Sequence, residues 1–206
     1  MSVLRLGVLI SGGGRTLRYL IARQLDGSLK AQVVAVVSSC PLGDSNAEAF
    51  GCCKSHGIPI TVMRPKDFSC VEEFGSAQAT WLDAHGVVIV CMAGYLKFWP
   101  IPDRYQCRVL NIHPSLLPKF GGKGFYGLRV HCAVLEAGES ESGCTVHYVD
   151  NIYDHGPVLL QRRVRVLADD TPVTLGARVF RAECEAYPEA INFVAREKNL
   201  DEPSSL

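Results

Sequence analysis

Apolar and polar positions alternate along the chain in two rhythms. Leu4–Ile10 is an aliphatic run broken only by Arg5, and it predicts a strand. Leu17, Leu20, Ile21 and Leu25 then recur at helical spacing. Gln32–Val37 predicts a second strand and Ala47–His56 a helix that ends at Gly57. Ile58–Val62 predicts a short strand, and Val71–His85 a helix closed by Gly86. Val87–Met92 and Arg108–Ile112 are continuous apolar runs of the kind that lie inside a parallel sheet. Strand and helix in turn imply βαβ units, hence an α/β fold with a mainly parallel twisted sheet and helices on both faces.

The rhythm changes after residue 113. A glycine-rich loop, Phe120–Gly127, precedes a helix at Val130–Ala137. Strands are predicted at Thr145–Val149 and Val158–Val166, with only eight residues between them. A helical crossover does not fit there, so this late pair should be antiparallel. Thr171–Arg196 reads as helix, with Pro188 interrupting it or opening a new segment. One domain over residues 1–200 is expected, with 201–206 as a frayed tail.

Composition removes several classes of function. The chain has 206 residues, 48% of them apolar, with 21 basic and 21 acidic side chains. Zero net charge argues against nucleic acid as a partner. No run is long enough to cross a bilayer, and the first residues lack the features of a secretory leader, so a cytoplasmic enzyme without a membrane partner is expected. Nine cysteines without a Cys-x-x-Cys pair suit a reducing compartment, with Cys91, Cys107 and Cys144 as small core residues. The six histidines form no metal-ligand spacing, and no cysteine or serine stands in a nucleophile motif, so neither a metal nor a covalent intermediate is expected.

Three segments carry candidate chemistry. Ser11-Gly12-Gly13-Gly14-Arg15-Thr16 lies between the first strand and the first helix, where free backbone N–H groups attract anions. It lacks the lysine of a Walker loop and the third glycine of a dinucleotide loop, which favours a phosphate monoester over a tight turn without a ligand. Asn111 and His113 sit two apart on a strand that Pro114 ends, so both project from one face at its carboxyl end. An amide and an imidazole there suit an oxyanion; ordinary capping of a strand end is the alternative. Asp150–Pro157 reads as a solvated hairpin loop, unless Asp154 lies near His113. In that case the carboxylate should raise the pKa of the imidazole and make it an acid near neutral pH.

These residues also carry a resemblance. Val8–Gly14, Met92-Ala93-Gly94-Tyr95-Leu96, Asn111-Ile112-His113-Pro114-Ser115-Leu116-Leu117-Pro118 and Gly143–Asp154 followed by Gly156-Pro157 resemble the phosphoribosylglycinamide formyltransferase family of folate-dependent enzymes. The resemblance implies a Rossmann-like formyltransferase fold and 10-formyltetrahydrofolate as co-substrate; small-molecule substrates are expected, and the sequence is compatible with either a monomer or a homodimer. It implies Asn111, His113 and Asp154 as catalytic residues. Gly14, Arg15 and Thr16 are implied at the substrate phosphate, and Phe180, Arg181, Ala182 and Glu183 at its glycinamide and ribose end. The folate is implied beside Leu96, Lys97, Phe98 and Trp99 and beside Asp150, Asn151, Ile152, Tyr153 and Asp154. The chain departs from the family at Gly13 and Arg15-Thr16, where Asn and Ser-Asn are frequent, at Lys97, where Arg is frequent, and around Ser69-Cys70, where an Arg is missing.

Overall fold

A computed structural model describes residues 3–43 and 45–201, without the side chains of 199–201. The expected tail therefore falls outside the described residues from 202 onward, while Asp201 closes the last helix. The chain forms two compact units, one of residues 3–105 with 188–201 and one of residues 106–187.

The first unit holds β1 (Leu4–Ile10), α1 (Arg15–Leu25), β2 (Ala31–Ser38), α2 (Ala47–Ser55), β3 (Ile60–Val62), α3 (Val71–Ala84) and β4 (Ile89–Met92). Its strands are parallel in the order β3-β2-β1-β4. Six of the seven residues of β1 and all four of β4 are buried. That is the burial expected of parallel strands covered on both faces. Leu17, Leu20 and Ile21 turn into the core, but Leu25 does not and is 62% exposed. It ends the helix, beyond the stripe that faces the sheet. Cys91 is buried as expected, whereas Cys107 is exposed, in a left-handed turn at φ +57 rather than in a strand.

The second unit holds β5 (Val109–His113), α4 (Leu128–Glu136), β6 (Glu141–Tyr148), β7 (Val158–Arg165) and the first half of α5 (Pro172–Asp201). β6 pairs antiparallel with β7, as the short connection requires, and also antiparallel with β5. β6 starts four residues before the predicted strand, with Glu141 exposed and Ser142 and Gly143 buried. A Cβ on Gly143 would lie on the backbone oxygen of Arg162 in β7, so only glycine lets the two strands approach.

Pro188 does not break α5, which runs on through it, although the chain passes from one unit to the other there. Proline inside a helix costs about 3 kcal/mol. Ala186 and Tyr187 before it and Ala190, Ile191, Val194 and Ala195 after it are all buried, and burial on this scale offsets that cost. Among the described residues no helix is long and apolar enough to cross a membrane.

Candidate active site

The antiparallel register of the second unit assembles a polar cluster inside an apolar sheet. Asn111 faces His147 across the β5–β6 pair, and His113 faces Thr145. The β6–β7 connection then folds Asp154 back over β5. Asp154 Oδ1 lies 3.4 Å from Asn111 Nδ2, and Oδ2 lies 3.4 Å from His113 Nδ1. The backbone N–H of Gly122 donates to Oδ2 at 2.8 Å. Asp154 takes this position at φ +52, a left-handed conformation that Asp tolerates better than most residues. Asn111, His113 and Asp154 thus meet in one place, with His113 only 4% exposed.

His147 completes the cluster, and the sequence did not single it out. Its Nδ1 lies 2.8 Å from its neighbour's carbonyl, Tyr148 O, and its Nε2 lies 3.1 Å from Asn111 Nδ2. A carbonyl only accepts, so Nδ1 carries the proton and Nε2 is left to accept from the amide. This fixes which end of the Asn111 amide faces His147. The only signal for it in the sequence was its place in a strand, and cross-strand register is not legible there.

The loop after β5 is held by buried hydroxyls. Ser115 Oγ donates to Lys119 O at 2.7 Å, and Thr145 Oγ1 donates to Ser115 O at 2.7 Å and accepts from Leu117 N at 3.0 Å. This brings Phe120 O to 2.8 Å from His113 Nε2. Both ring nitrogens of His113 therefore face acceptors, Phe120 O and Asp154.

Burial changes the expected electrostatics. It pushes the pKa of His113 down, and the pull of Asp154 and of Phe120 O in the other direction does not compensate. The pKa lies below the ordinary 6.5, not above it as the carboxylate alone would dictate. The free protein at neutral pH thus holds His113 mainly as neutral imidazole. Burial also opposes the charge on Asp154, but its polar neighbours, among them His113 and the Gly122 N–H, outweigh it and hold the carboxyl below its usual value. His131 of α4 is lowered as well, by burial first and then by His113.

The glycine loop of the first unit caps α1 with its backbone. Gly14 stands at the N-cap at φ +63, its oxygen accepting from Arg18 N at 2.9 Å, and no side chain caps the helix. Thr16 lies inside the first turn and does not act as the cap. A Cβ on Gly14 would meet Ala49 at 2.7 Å, so glycine is needed for space as well as for φ. The first turn holds no acidic residue, and Arg15 is exposed.

The predicted folate segments differ in what they present. Leu96 and Lys97 are exposed and Phe98 is half-buried, whereas Trp99 is buried and donates Nε1 to Gly75 O at 3.1 Å. Trp99 thus packs the first unit, with its ring 5.7 Å from that of Tyr105. Asn151, Ile152 and Tyr153 are exposed. At the position without the family's Arg, Cys70 caps α3 by accepting from Glu73 N, and Ser69 donates to Glu73 Oε2. Phe180 and Glu183 share one side of α5, three residues apart. Arg181 and Ala182 instead line an open groove of about 590 Å³ with Gln161, Arg162, Arg178 and Glu185. The helical repeat does not bring these four predicted residues to one place.

Comparison with known proteins bears on this arrangement. Residues 4–191 match the family model described as formyl transferase. The chloroplastic phosphoribosylglycinamide formyltransferase of Arabidopsis thaliana is 39% identical over 94% of this chain, and that of Vigna unguiculata 36% over 94%. The chain spans 66% and 62% of the length of these plant relatives. The crystal structure of glycinamide ribonucleotide transformylase 1 from Symbiobacterium toebii is 36% identical, superposes with a TM-score of 0.86, and covers 95% of this chain and 89% of its own. The chain belongs to the formyl transferase family.

Proposed function

We propose that the protein transfers the formyl group of 10-formyltetrahydrofolate to the amine of 5-phosphoribosylglycinamide, a step of purine biosynthesis, as a cytoplasmic enzyme. The observation that carries this reading is the carboxylate of Asp154 standing between Asn111 and His113, inside the second unit. The names of the relatives supply the substrates. Gly14, Arg15 and Thr16 are assigned to the phosphate, because the start of α1 offers N–H groups with neither a side-chain cap nor an acidic residue in its first turn. Glu183 and Phe180 are assigned to the glycinamide end. Leu96, Lys97, Phe98 and the loop 150–154 are assigned to the folate. Trp99 contributes only by shaping the backbone.

In the proposed mechanism the amine attacks the formyl carbon directly and forms a tetrahedral centre with a negative oxygen. The Asn111 Nδ2 hydrogen that meets Asp154 Oδ1 in the free protein turns to that oxygen, while the other stays on His147 Nε2, which holds the amide in place. His113 starts neutral. It takes the proton released by the attacking nitrogen, becomes an imidazolium stabilised by Asp154, and passes a proton to the departing N10. The carbonyl then re-forms, the carbon–N10 bond breaks, and His113 is neutral again. In the free protein the ring proton of neutral His113 sits on Nε2, toward Phe120 O; it must shift to Nδ1, beside Asp154, and Nε2 must be released by Phe120 O before it can accept. The glycines on its C-terminal side, Gly121 and Gly122, give that segment the freedom to move.

The test is to mix the protein with 10-formyltetrahydrofolate, with and without 5-phosphoribosylglycinamide, and follow the folate absorbance. Deformylation that requires the amine is expected. Equal deformylation without the amine would make the protein a hydrolase, and none at all would leave it a binding module; either result overturns the proposal.

A further inference from the structure

Ser11 ties together the two segments of the first unit that the proposed function assigns to different substrates. It is the last residue before Gly12-Gly13-Gly14, the loop assigned to the phosphate. Its backbone N–H donates to Gly94 O at 3.2 Å, and its Oγ accepts from Leu96 N at 2.8 Å. Leu96 opens the segment assigned to the folate, and Gly94 takes φ +72 to lead the chain into it. The same Oγ shares a 2.6 Å hydrogen bond with Ser39, which is 4% exposed and donates its backbone N–H to Ile10 O at 2.9 Å. Cys40 Sγ donates to Ser11 O at 3.1 Å. One hydroxyl thus fixes the backbone of Leu96 to the root of the glycine loop and anchors both to Ser39, the residue that follows β2.

We infer that Ser11 is a positioning residue through which the phosphosugar and the folate bind cooperatively. A glycine loop pays a large entropy cost when it is ordered. A ligand seated on the loop or on Leu96 restrains the motion left to that segment, and Ser11 passes the restraint to the other. The second ligand then pays less of the cost, which is positive coupling without a change of fold. Ser11 touches neither ligand.

The inference rests on the proposed substrates, and the test separates the two. Calorimetry measures the Kd of 5-phosphoribosylglycinamide alone and with saturating 5,8-dideazafolate, a folate analogue without a formyl group. In the unchanged protein the second ligand should tighten the first by a factor of about 5, the scale of one hydrogen bond. Ser11→Ala should bring that factor close to 1. A general loosening of the fold would weaken both single-ligand affinities without changing the factor. A second measurement needs no variant: hydrogen exchange of the Leu96 amide should slow when 5-phosphoribosylglycinamide alone is added. Failure of either ligand to bind the unchanged protein would overturn the substrate assignment and the inference with it. Binding of both with a factor near 1, a factor unchanged in Ser11→Ala, or unaltered Leu96 exchange would overturn the inference alone.

Discussion

At Asp154 one side chain answers three neighbours, Asn111, His113 and the Gly122 N–H. Asn is the substitution that isolates its charge, because Asn also tolerates the left-handed backbone and keeps an oxygen for Gly122. Asp154→Asn should lower kcat by about a hundredfold or more and leave KM within a few-fold, since it removes the partner of the imidazolium. Steady-state kinetics at pH 7.5 checks this, and a kcat near that of the parent removes Asp154 from the proton path. The buried imidazoles also set how stability follows pH. The folded pKa of His113 lies below its unfolded value near 6.5, and His131 shifts the same way. Their contribution is complete above about 6.5 and is lost as the pH falls below it toward their folded values. Asp154, also lowered, loses its contribution only at lower pH, below its unfolded value of 3.8. The melting temperature should therefore fall between pH 7 and 5, with a smaller slope in His131→Gln. Level melting across that range would contradict a buried neutral His113. Asn111, His113 and Asp154 were legible because they belong to a family string. His147 and the downward shift of His113 were not, because both follow from register and burial, which no spacing encodes.

At the scale of elements, the β6–β7 connection decides whether the cluster around Asp154 forms. Gly156 ends that loop, and a Cβ there would lie on the carbonyl oxygen of Tyr148, backbone against backbone. Gly156→Ala cannot be absorbed by turning a side chain. It should cost about 1–3 kcal/mol of stability and displace Asp154, so activity falls more than stability does. Chemical denaturation and kcat measured together check this, and a variant with unchanged kcat would mean that the loop position does not matter. The parallel strands were legible because they are buried on both faces and read as unbroken apolar runs. The start of β6 was not, because Glu141-Ser142-Gly143 carries no apolar run, and what makes it strand is the close approach of β7 that Gly143 admits. Pro188 misled for the opposite reason: a strong local rule was overridden by burial on both sides of it.

Over the whole molecule, the nine cysteines report on packing. Cys70 and Cys107 are exposed, whereas Cys53, Cys91 and Cys144 are buried. Burial pushes the thiols of Cys53 and Cys144 up to about 12. A thiol reagent at pH 8 should modify Cys70 and Cys107 in a fast phase and leave the three buried thiols silent until denaturant is added. A single rate for all nine in the native protein would contradict the packing described. The central claim concerns the cluster of Asn111, His113, His147 and Asp154, and the rate of a single turnover tests it most directly. With excess protein over 10-formyltetrahydrofolate and saturating 5-phosphoribosylglycinamide, formyl transfer by Asn111→Ala should be slower by about a hundredfold or more, with the fold intact by circular dichroism. Transfer at the rate of the parent protein would contradict the claim.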